Sequence, residues 1–482
     1  MSKYLYGAAV QGIQDFIFKT SELKHIVGAS ELVEQICTSA FDEFAKNGES
    51  VVRAAGNIKF IFDNDEDCRK AVREFPKKVM TMAPGITISQ AVIPLGDDFG
   101  KAIDQIESLL KVQRNKPQRS TTCGLMGIKR ANNTGLPVVM ITNKEEYKDE
   151  PTVQKECYTN TKGLCIKSFG VSDFSSDVVA YDINDITEKN DWIAIIHADG
   201  NGLGKVVQKV GKNKDVFSRF SQQLDIATKE AAQIAYSKVD GEFNAIKVIP
   251  IRPVVLSGDD MTVIIRGDLA IAYANAFIKA FEEKTKEHLG DILRNYSVFA
   301  EGEDYLTVCA GIAFIKSSYP FYYGYQLAEE LCGYAKKDTK AIHEADSNHL
   351  PPSCLLFHKV QDSYIVSYED IVQRELTAND GLSFKAGPYY IFPQNGKNTV
   401  DNLVESSRLL NVEGEDGVKS GLRNWISLRL ENKNKAEQRK NRMLQVFSEP
   451  AIIEKLTSET NGLCIAFDVL AYYTVMNQQT KE

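Results

Sequence analysis

Three carboxylates in two short motifs are the residues of this chain best suited to chemistry. Asp259 and Asp260 stand side by side in Val254-Val255-Leu256-Ser257-Gly258-Asp259-Asp260-Met261-Thr262-Val263-Ile264-Ile265. Two apolar, β-branched runs flanking a Gly- and Asp-bearing centre read as a β-hairpin. Adjacent carboxylates beside a buried strand pair repel one another and lose hydration, which is poor packing chemistry. A divalent cation resolves that conflict. Mg²⁺ or Mn²⁺ uses one or two protein carboxylates and completes its shell with water and substrate phosphates. Asp199 closes a second apolar run, Trp192 to Ala198, and opens Gly200-Asn201-Gly202-Leu203-Gly204-Lys205. A strand there, laid beside the hairpin, brings Asp199 to Asp259 and Asp260. Three carboxylates, glycines that let backbone approach phosphates and a nearby lysine make a two-metal nucleotidyl-transfer site. Either motif alone is ordinary; the two together, in this order, favour the site.

The elements that must position these residues follow from the hydrophobic pattern. Trp192 to Ala198 reads as strand, Lys214 to Lys238 as helix, Lys247 to Ile265 as the hairpin, Leu269 to Leu289 as helix and Leu306 to Ile315 as strand. That order is ferredoxin-like. Tyr323 to Lys337 adds a helix whose last turn carries Lys336 and Lys337, placed to neutralise triphosphate. Ser257, Gly258, Gly200, Gly202 and Lys205 complete the expected nucleotide-binding set, with Asp199, Asp259 and Asp260 as metal ligands.

The same order of elements occurs earlier in the chain. Tyr4 to Val10 is strand, Ser21 to Lys46 largely helix, Val51 to Ala55 and Ile58 to Phe62 a strand pair. Glu66 to Met82 (helix), Ile86 to Ile93 (strand) and Asp98 to Val112 (helix) follow. Laid over the later copy, Gln11-Gly12 falls on Asp199-Gly200, and Ala55-Gly56-Asn57-Ile58 falls on Ser257-Gly258-Asp259-Asp260. The earlier copy keeps the glycines and lacks every carboxylate. The expected fold is therefore α+β with tandem ferredoxin-like palms. Residues 1–112 form a degenerate first palm, 113–191 a Cys-bearing insert, 192–366 the catalytic palm and 367–482 a helical C-terminal domain.

A chain of 482 residues with 43% hydrophobic and 25% charged residues is globular and multidomain. Asp468 interrupts the apolar stretch Leu463 to Met476, so no membrane helix is expected. The start at Met1-Ser2-Lys3-Tyr4 lacks a signal-peptide layout, and nine scattered cysteines fit a reduced, cytoplasmic compartment. Cys123, Cys157 and Cys165 of the insert contain no Cys-x-x-Cys, so zinc is not expected. The six histidines, His197 among them, show no His-Asp pair and read as packing or surface residues. Arg429, Lys433, Lys435, Arg439, Lys440 and Arg442 read as a solvated helix face within a single helix, Gly417 to Phe447. A net charge of −8 argues against a protein that grips nucleic acid over most of its own surface.

A Gly-Asp-Asp hairpin on a palm is common to polymerases and nucleotide cyclases, but the combination here is narrower. Ile13-Gln14-Asp15-Phe16-Ile17-Phe18-Lys19-Thr20 and Ile26-Val27-Gly28-Ala29-Ser30, with Asp199-Gly200-Asn201-Gly202-Leu203-Gly204 and Ser257-Gly258-Asp259-Asp260, resemble the polymerase-like large subunit of type III CRISPR effector complexes. The resemblance is closest to the III-B, Cmr-type branch. Asn201 departs from that family's second Asp and Ser257 from its first hairpin Gly, while Asp199, Asp259 and Asp260 stay. The N-terminal His-Asp nuclease domain found in many members is missing, so no DNase activity is expected. The resemblance implies a synthase, activated by target RNA, that makes a nucleotide second messenger from ATP in antiviral defence. The product is a cyclic oligoadenylate or, where S-adenosylmethionine is co-substrate, an adduct of the two. The implied partners are the other type III subunits, with guide RNA and target RNA held through them. A freestanding cyclase of the diguanylate type is one rival, although Asp260-Met261 stands where that group has Glu-Phe. A catalytically idle ribonucleoprotein scaffold is the other.

Overall fold

The computed structural model describes residues 3–20, 22–54, 56–116, 126–143, 145–158, 162–171, 175–188, 191–243, 248–342, 348–362, 367–411 and 417–477. Its first sheet contains β1 (Tyr4–Gln11), β2 (Gly48–Ala54), β3 (Asn57–Phe62) and β4 (Thr87–Pro94), in the antiparallel order β2-β3-β1-β4. Helices Leu23–Cys37, Asp65–Met82 and Phe99–Arg114 complete this palm. Two of them start where a side chain satisfies an open backbone N–H: Asn64 accepts from Asp67 N and Asp98 from Lys101 N. In the insert, β5 (Val138–Ile141) and β6 (Tyr147–Asp149) form a small hairpin, followed by helices Glu150–Glu156 and Gly163–Phe169.

The second sheet repeats the first. It contains β7 (Trp192–Gly200), β8 (Ile251–Ser257), β9 (Asp260–Arg266) and β10 (Val308–Lys316), in the order β8-β9-β7-β10. Two further strands extend it: β11 (Cys354–Lys359), parallel to β10, and β12 (Tyr389–Tyr390), antiparallel to β11. The boundary expected at residue 366 thus passes between two strands of one sheet. Helices Lys214–Val239 and Ala270–Asn295 pack on each other and on this palm. Helix Phe321–Ile342 lies close on the face that carries His197 and Asp199. Gly311 permits this approach, since a Cβ there would stand 1.9 Å from the Ala328 carbonyl oxygen. One continuous apolar core runs through both palms and the C-terminal helices. The Phe18 ring of the first palm stacks on Tyr325 of the second at 4.0 Å and 13°.

Strand register corrects how the two copies superpose. Ala54 pairs with Asn57 as Ser257 pairs with Asp260, so Asn57 matches Asp260 and Gly56 matches Asp259. Ala9 lies opposite Asn57, as Asp199 does Asp260 when the Ala198–Met261 register is continued one step. Gly12 then matches Gly202, and both cap the following helix with positive φ, +68° and +74°. The overlay from sequence was displaced by one residue in the hairpin and two at the strand end. It followed the glycines, whose place in each turn differs: Gly56 is the second residue of its two-residue loop and Gly258 the first. The first palm presents Ala9, Gly56 and Asn57 where the second presents Asp199, Asp259 and Asp260.

Two expectations for the C-terminal helices also change. Gly417 to Phe447 is not one helix but Gly417–Glu431 and Lys433–Val446, broken at Asn432, whose side chain caps the second by accepting from Lys435 N at 3.1 Å. Arg429 is not solvated. It is 2% exposed and forks between Asp380 at 2.8 Å and Glu459 at 2.7 Å. A guanidinium buried on two carboxylates is a structural tie.

Candidate active site

The hairpin tip is a two-residue loop, Gly258-Asp259, closing on the Ser257–Asp260 pair. Gly258 takes φ +64°, the positive angle such a loop needs at its first central position and one that side-chain-bearing residues rarely adopt. Asp260 begins β9 next to the end of β7, where Asp199 emerges. Asp259 leans over Gly200: a Cβ on Gly200 would stand 2.7 Å from Asp259 Oδ2. Gly200 is therefore glycine because the carboxylate occupies the space a side chain would need. The three acids are neighbours, close enough for the Asp199 charge to act on both Asp259 and Asp260, but their oxygens are not all gathered within 4.8 Å of one another.

Lys336 joins them. Its Nζ donates to Asp199 Oδ2 and, at 2.8 Å, to the Gly200 carbonyl. Lys337, one residue on and therefore turned about 100° round the helix, does not. Its ammonium lies 4.9 Å from the centre of the Tyr334 ring, away from the carboxylates. Lys205 sits in the first turn of helix Leu203–Val210, with its backbone N–H on the Gly202 carbonyl at 3.0 Å. Gly202 supplies the left-handed cap to that helix against the Phe299 ring. Asn201 faces inward: 2% exposed, it donates to Thr307 Oγ1 at 3.1 Å and Cys309 Sγ at 3.3 Å. The residue that departs from the expected acid is thus committed to packing rather than to the cluster.

Sequence reasoning missed His197. Two residues before Asp199 on the same strand, it shares that face of the sheet. Its Nδ1 lies 3.1 Å from Thr262 Oγ1 and 3.5 Å from Asp260 Oδ1. The i, i+2 spacing from Asp199 was the signal available. Burial holds the imidazole below its ordinary pKa, against the pull of the Asp199 and Glu329 charges. Tyr325, Glu329 and Lys336 recur at helical spacing on Phe321–Ile342, and Tyr325 meets the His197 ring edge-on at 5.6 Å. A stripe at 325, 329 and 336 can be read from sequence once the helix is known to cover this face.

The electrostatics fit a hard cation. Burial, then the neighbouring Asp199 charge, raises Asp259 and Asp260 to about 7 each, with Lys336 pulling the other way. Asp260 Oδ1 is buried and, among the described residues, has no hydrogen bond, with His197 Nδ1 standing off at 3.5 Å. An all-oxygen donor set with an orphaned carboxylate oxygen suits Mg²⁺ or Mn²⁺. Beside it, between the palms, lies a cavity of 460 Å³ lined by Gly12 and Gln14 from the first and by Ser257, Asp260 and Tyr325 from the second. In the insert, Cys157 is exposed while Cys165 is buried against Arg252, whose Nη1 stands 3.2 Å from the sulfur. Cys123 lies outside the described residues. No described helix is long and apolar enough to cross a membrane.

Comparison with known proteins bears on the fold and on the second palm. The sequence matches no curated protein. Residues 192–343 match the family described as Cas10/Cmr2, second palm domain. The fold is similar to Csm1 in the crystal structure of a Csm1-Csm4 cassette in complex with AMPPNP (13% identity, TM-score 0.59, covering 98% of this chain and 70% of that one). The same cassette in complex with cA4 gives 12%, 0.58, 98% and 69%. Csm1 of T. onnurineus gives 15%, 0.55, 98% and 70%. The chain thus has a mixed α+β architecture similar to that of Csm1 along nearly its whole length, and residues 192–343 are similar to the second palm domain of Cas10/Cmr2.

Proposed function

We propose that this chain is the large subunit of a type III CRISPR effector and makes a nucleotide second messenger from ATP when target RNA is bound. The observation that carries this is the grouping of Asp199, Asp259 and Asp260, with Lys336 on Asp199, beside a cavity between the palms that Asp260 lines. Mg²⁺ or Mn²⁺ held by the three carboxylates would neutralise the triphosphate and polarise its α-phosphate. The protein's own residues do the rest. Gly200 and Gly258 keep side chains out of the path of the phosphates. Lys336 holds Asp199 in place and adds positive charge. The first palm, bare of carboxylates at Ala9, Gly56 and Asn57, leaves room for a second nucleotide between the copies. The III-B, Cmr-type branch is our assignment from the local motifs, with a cyclic oligoadenylate or an ATP–S-adenosylmethionine adduct as product. Companion subunits would supply guide and target RNA, since a net charge of −8 leaves this chain little affinity of its own for RNA.

The test is mass spectrometry of products after incubating the RNA-loaded complex with ATP, with and without S-adenosylmethionine. Oligoadenylate or the adduct, formed only with matched target RNA, is the expected result. Full turnover by the isolated chain without RNA would favour a freestanding cyclase. No product under any condition would favour a scaffold.

A further inference from the structure

We propose a second ligand site at the opposite end of the catalytic sheet, in the groove between β11 and the C-terminal helices, that binds a nucleotide through its phosphate. Trp192 begins β7 and pairs with Lys316, the last residue of β10, while Asp199 lies at the other end of β7. At about 3.4 Å per residue the two sites are more than ~20 Å apart. Nothing in the chemistry of the carboxylates bears on this one.

The groove encloses 710 Å³ and has two kinds of wall. One is apolar, formed by Ile426, Leu430, Phe467 and Leu470. The other is cationic. Lys359 lines the groove with its ammonium 4.6 Å from the centre of the Trp192 ring, and Lys316 stands over the same ring at 3.9 Å. Arg423 joins them from helix Gly417–Glu431. One lysine on a tryptophan is an ordinary surface contact. Two on the same ring, with an arginine beside them, bring like charges together at a cost that an anion removes. Asp362 and Glu375 also line the groove, but Arg374 contacts both, at 3.3 and 3.4 Å. Among the lining residues the balance is three cations, Lys359, Arg374 and Arg423, to two carboxylates. Burial and the charges of Lys316 and Arg423 push the Lys359 ammonium down to about 8, as expected where positive charge is in excess. A phosphate on Lys359 and Arg423 would leave a base or sugar against Phe467 and Leu430. Groove size and the apolar wall favour a nucleotide over free phosphate.

Trp192 makes the site observable, because the chain has only one other tryptophan, Trp425, buried in the C-terminal core. The full chain is titrated with AMP in EDTA while fluorescence excited at 295 nm is followed. Inorganic phosphate serves as competitor. The expected result is a saturable change, absent in Trp192→Phe, with affinity at least about tenfold weaker in Lys359→Met and in Arg423→Gln, the loss of one charged hydrogen bond. Arg423 is exposed, so its variant keeps the fold. Asp259→Asn/Asp260→Asn should bind AMP here as the natural chain does. A flat titration, binding unchanged in both cation variants, or phosphate competing as well as AMP would each overturn the proposal.

Discussion

Lys336 is the cation the carboxylate cluster carries at all times, and its removal is the sharpest test of how that cluster works. Lys336→Met keeps the length and apolar stem but deletes two hydrogen bonds, to Asp199 Oδ2 and the Gly200 carbonyl. A charged hydrogen bond contributes about 1.5–3 kcal/mol where it is well sheltered. The Lys336 side chain is 19% exposed but that of Asp199 is 43% exposed, so solvent screens the pair and about 1 kcal/mol of stability is the reasonable figure. In a chain of this size that shifts Tm by about 2 °C or less. The effect on product formation should be larger, because the lost charge faces triphosphate that is richer in negative charge during transfer: about 10²-fold, by analogy with removal of one major electrostatic element. Initial rates of product formation by the RNA-loaded complex at saturating ATP and Mg²⁺ measure this. Lys336→Arg, which keeps the charge, should lose much less than Lys336→Met. If Met retains activity within twofold, or Arg is as impaired as Met, the charge of Lys336 has no part in the reaction.

Asp259→Asn/Asp260→Asn should lower product by at least ~10²-fold and abolish stabilisation by Mg²⁺, with folding intact because a repulsive pair is relieved; Asn57→Ala, at the matching position of the first palm, should spare synthesis. Gly311→Ala should destabilise by about 1–3 kcal/mol or more in urea unfolding, since its Cβ meets Ala328 O and, at 2.4 Å, Cys332 N, and helix Phe321–Ile342 must lift from the sheet. Asp468 is buried, accepts from Tyr389 at 2.7 Å and is raised by burial to about 7. A carboxyl whose folded pKa is raised contributes stability at low pH that is lost as pH climbs through about 7, so Asp468→Asn should melt above the natural chain at pH 8, by on the order of 1–3 kcal/mol, with the gap closing towards pH 5.

Most of the scaffold could be read from pattern. Eight of the strands lie in apolar or alternating runs bounded by turn residues, and the βαββαβ order appears twice. The carboxylates were legible because Asp-Asp between two apolar runs has no packing rationale. What could not be read depends on contacts remote in sequence. The role of Arg429 is set by Asp380 and Glu459, 49 and 30 residues away, and helix spacing alone cannot separate Lys336 from Lys337. His197 looked like one more residue in an apolar strand, since its relation to Asp260 exists only once β7 lies beside β9. Superposing the palms by their glycines failed for a physical reason. A two-residue loop accepts positive φ at either central position, so the glycine marks the turn without fixing its register.

The two-residue strand β12 bears on how this protein can be divided for experiments. A fragment stopped after β11 would present a bare, apolar edge, with the Cys354 and Leu355 backbones denied the Tyr390 and Tyr389 partners they pair with in the whole chain. Such an edge recruits other strands, its own copies included. The same cut would strip Tyr390 from Asp338, two residues beyond Lys336 on the helix over the carboxylates. Palm fragments made without the C-terminal segment should therefore be association-prone and carry a loosened Lys336. Supplying residues 367–482 in trans, rather than adding solubilising tags, is the rational way to rescue them.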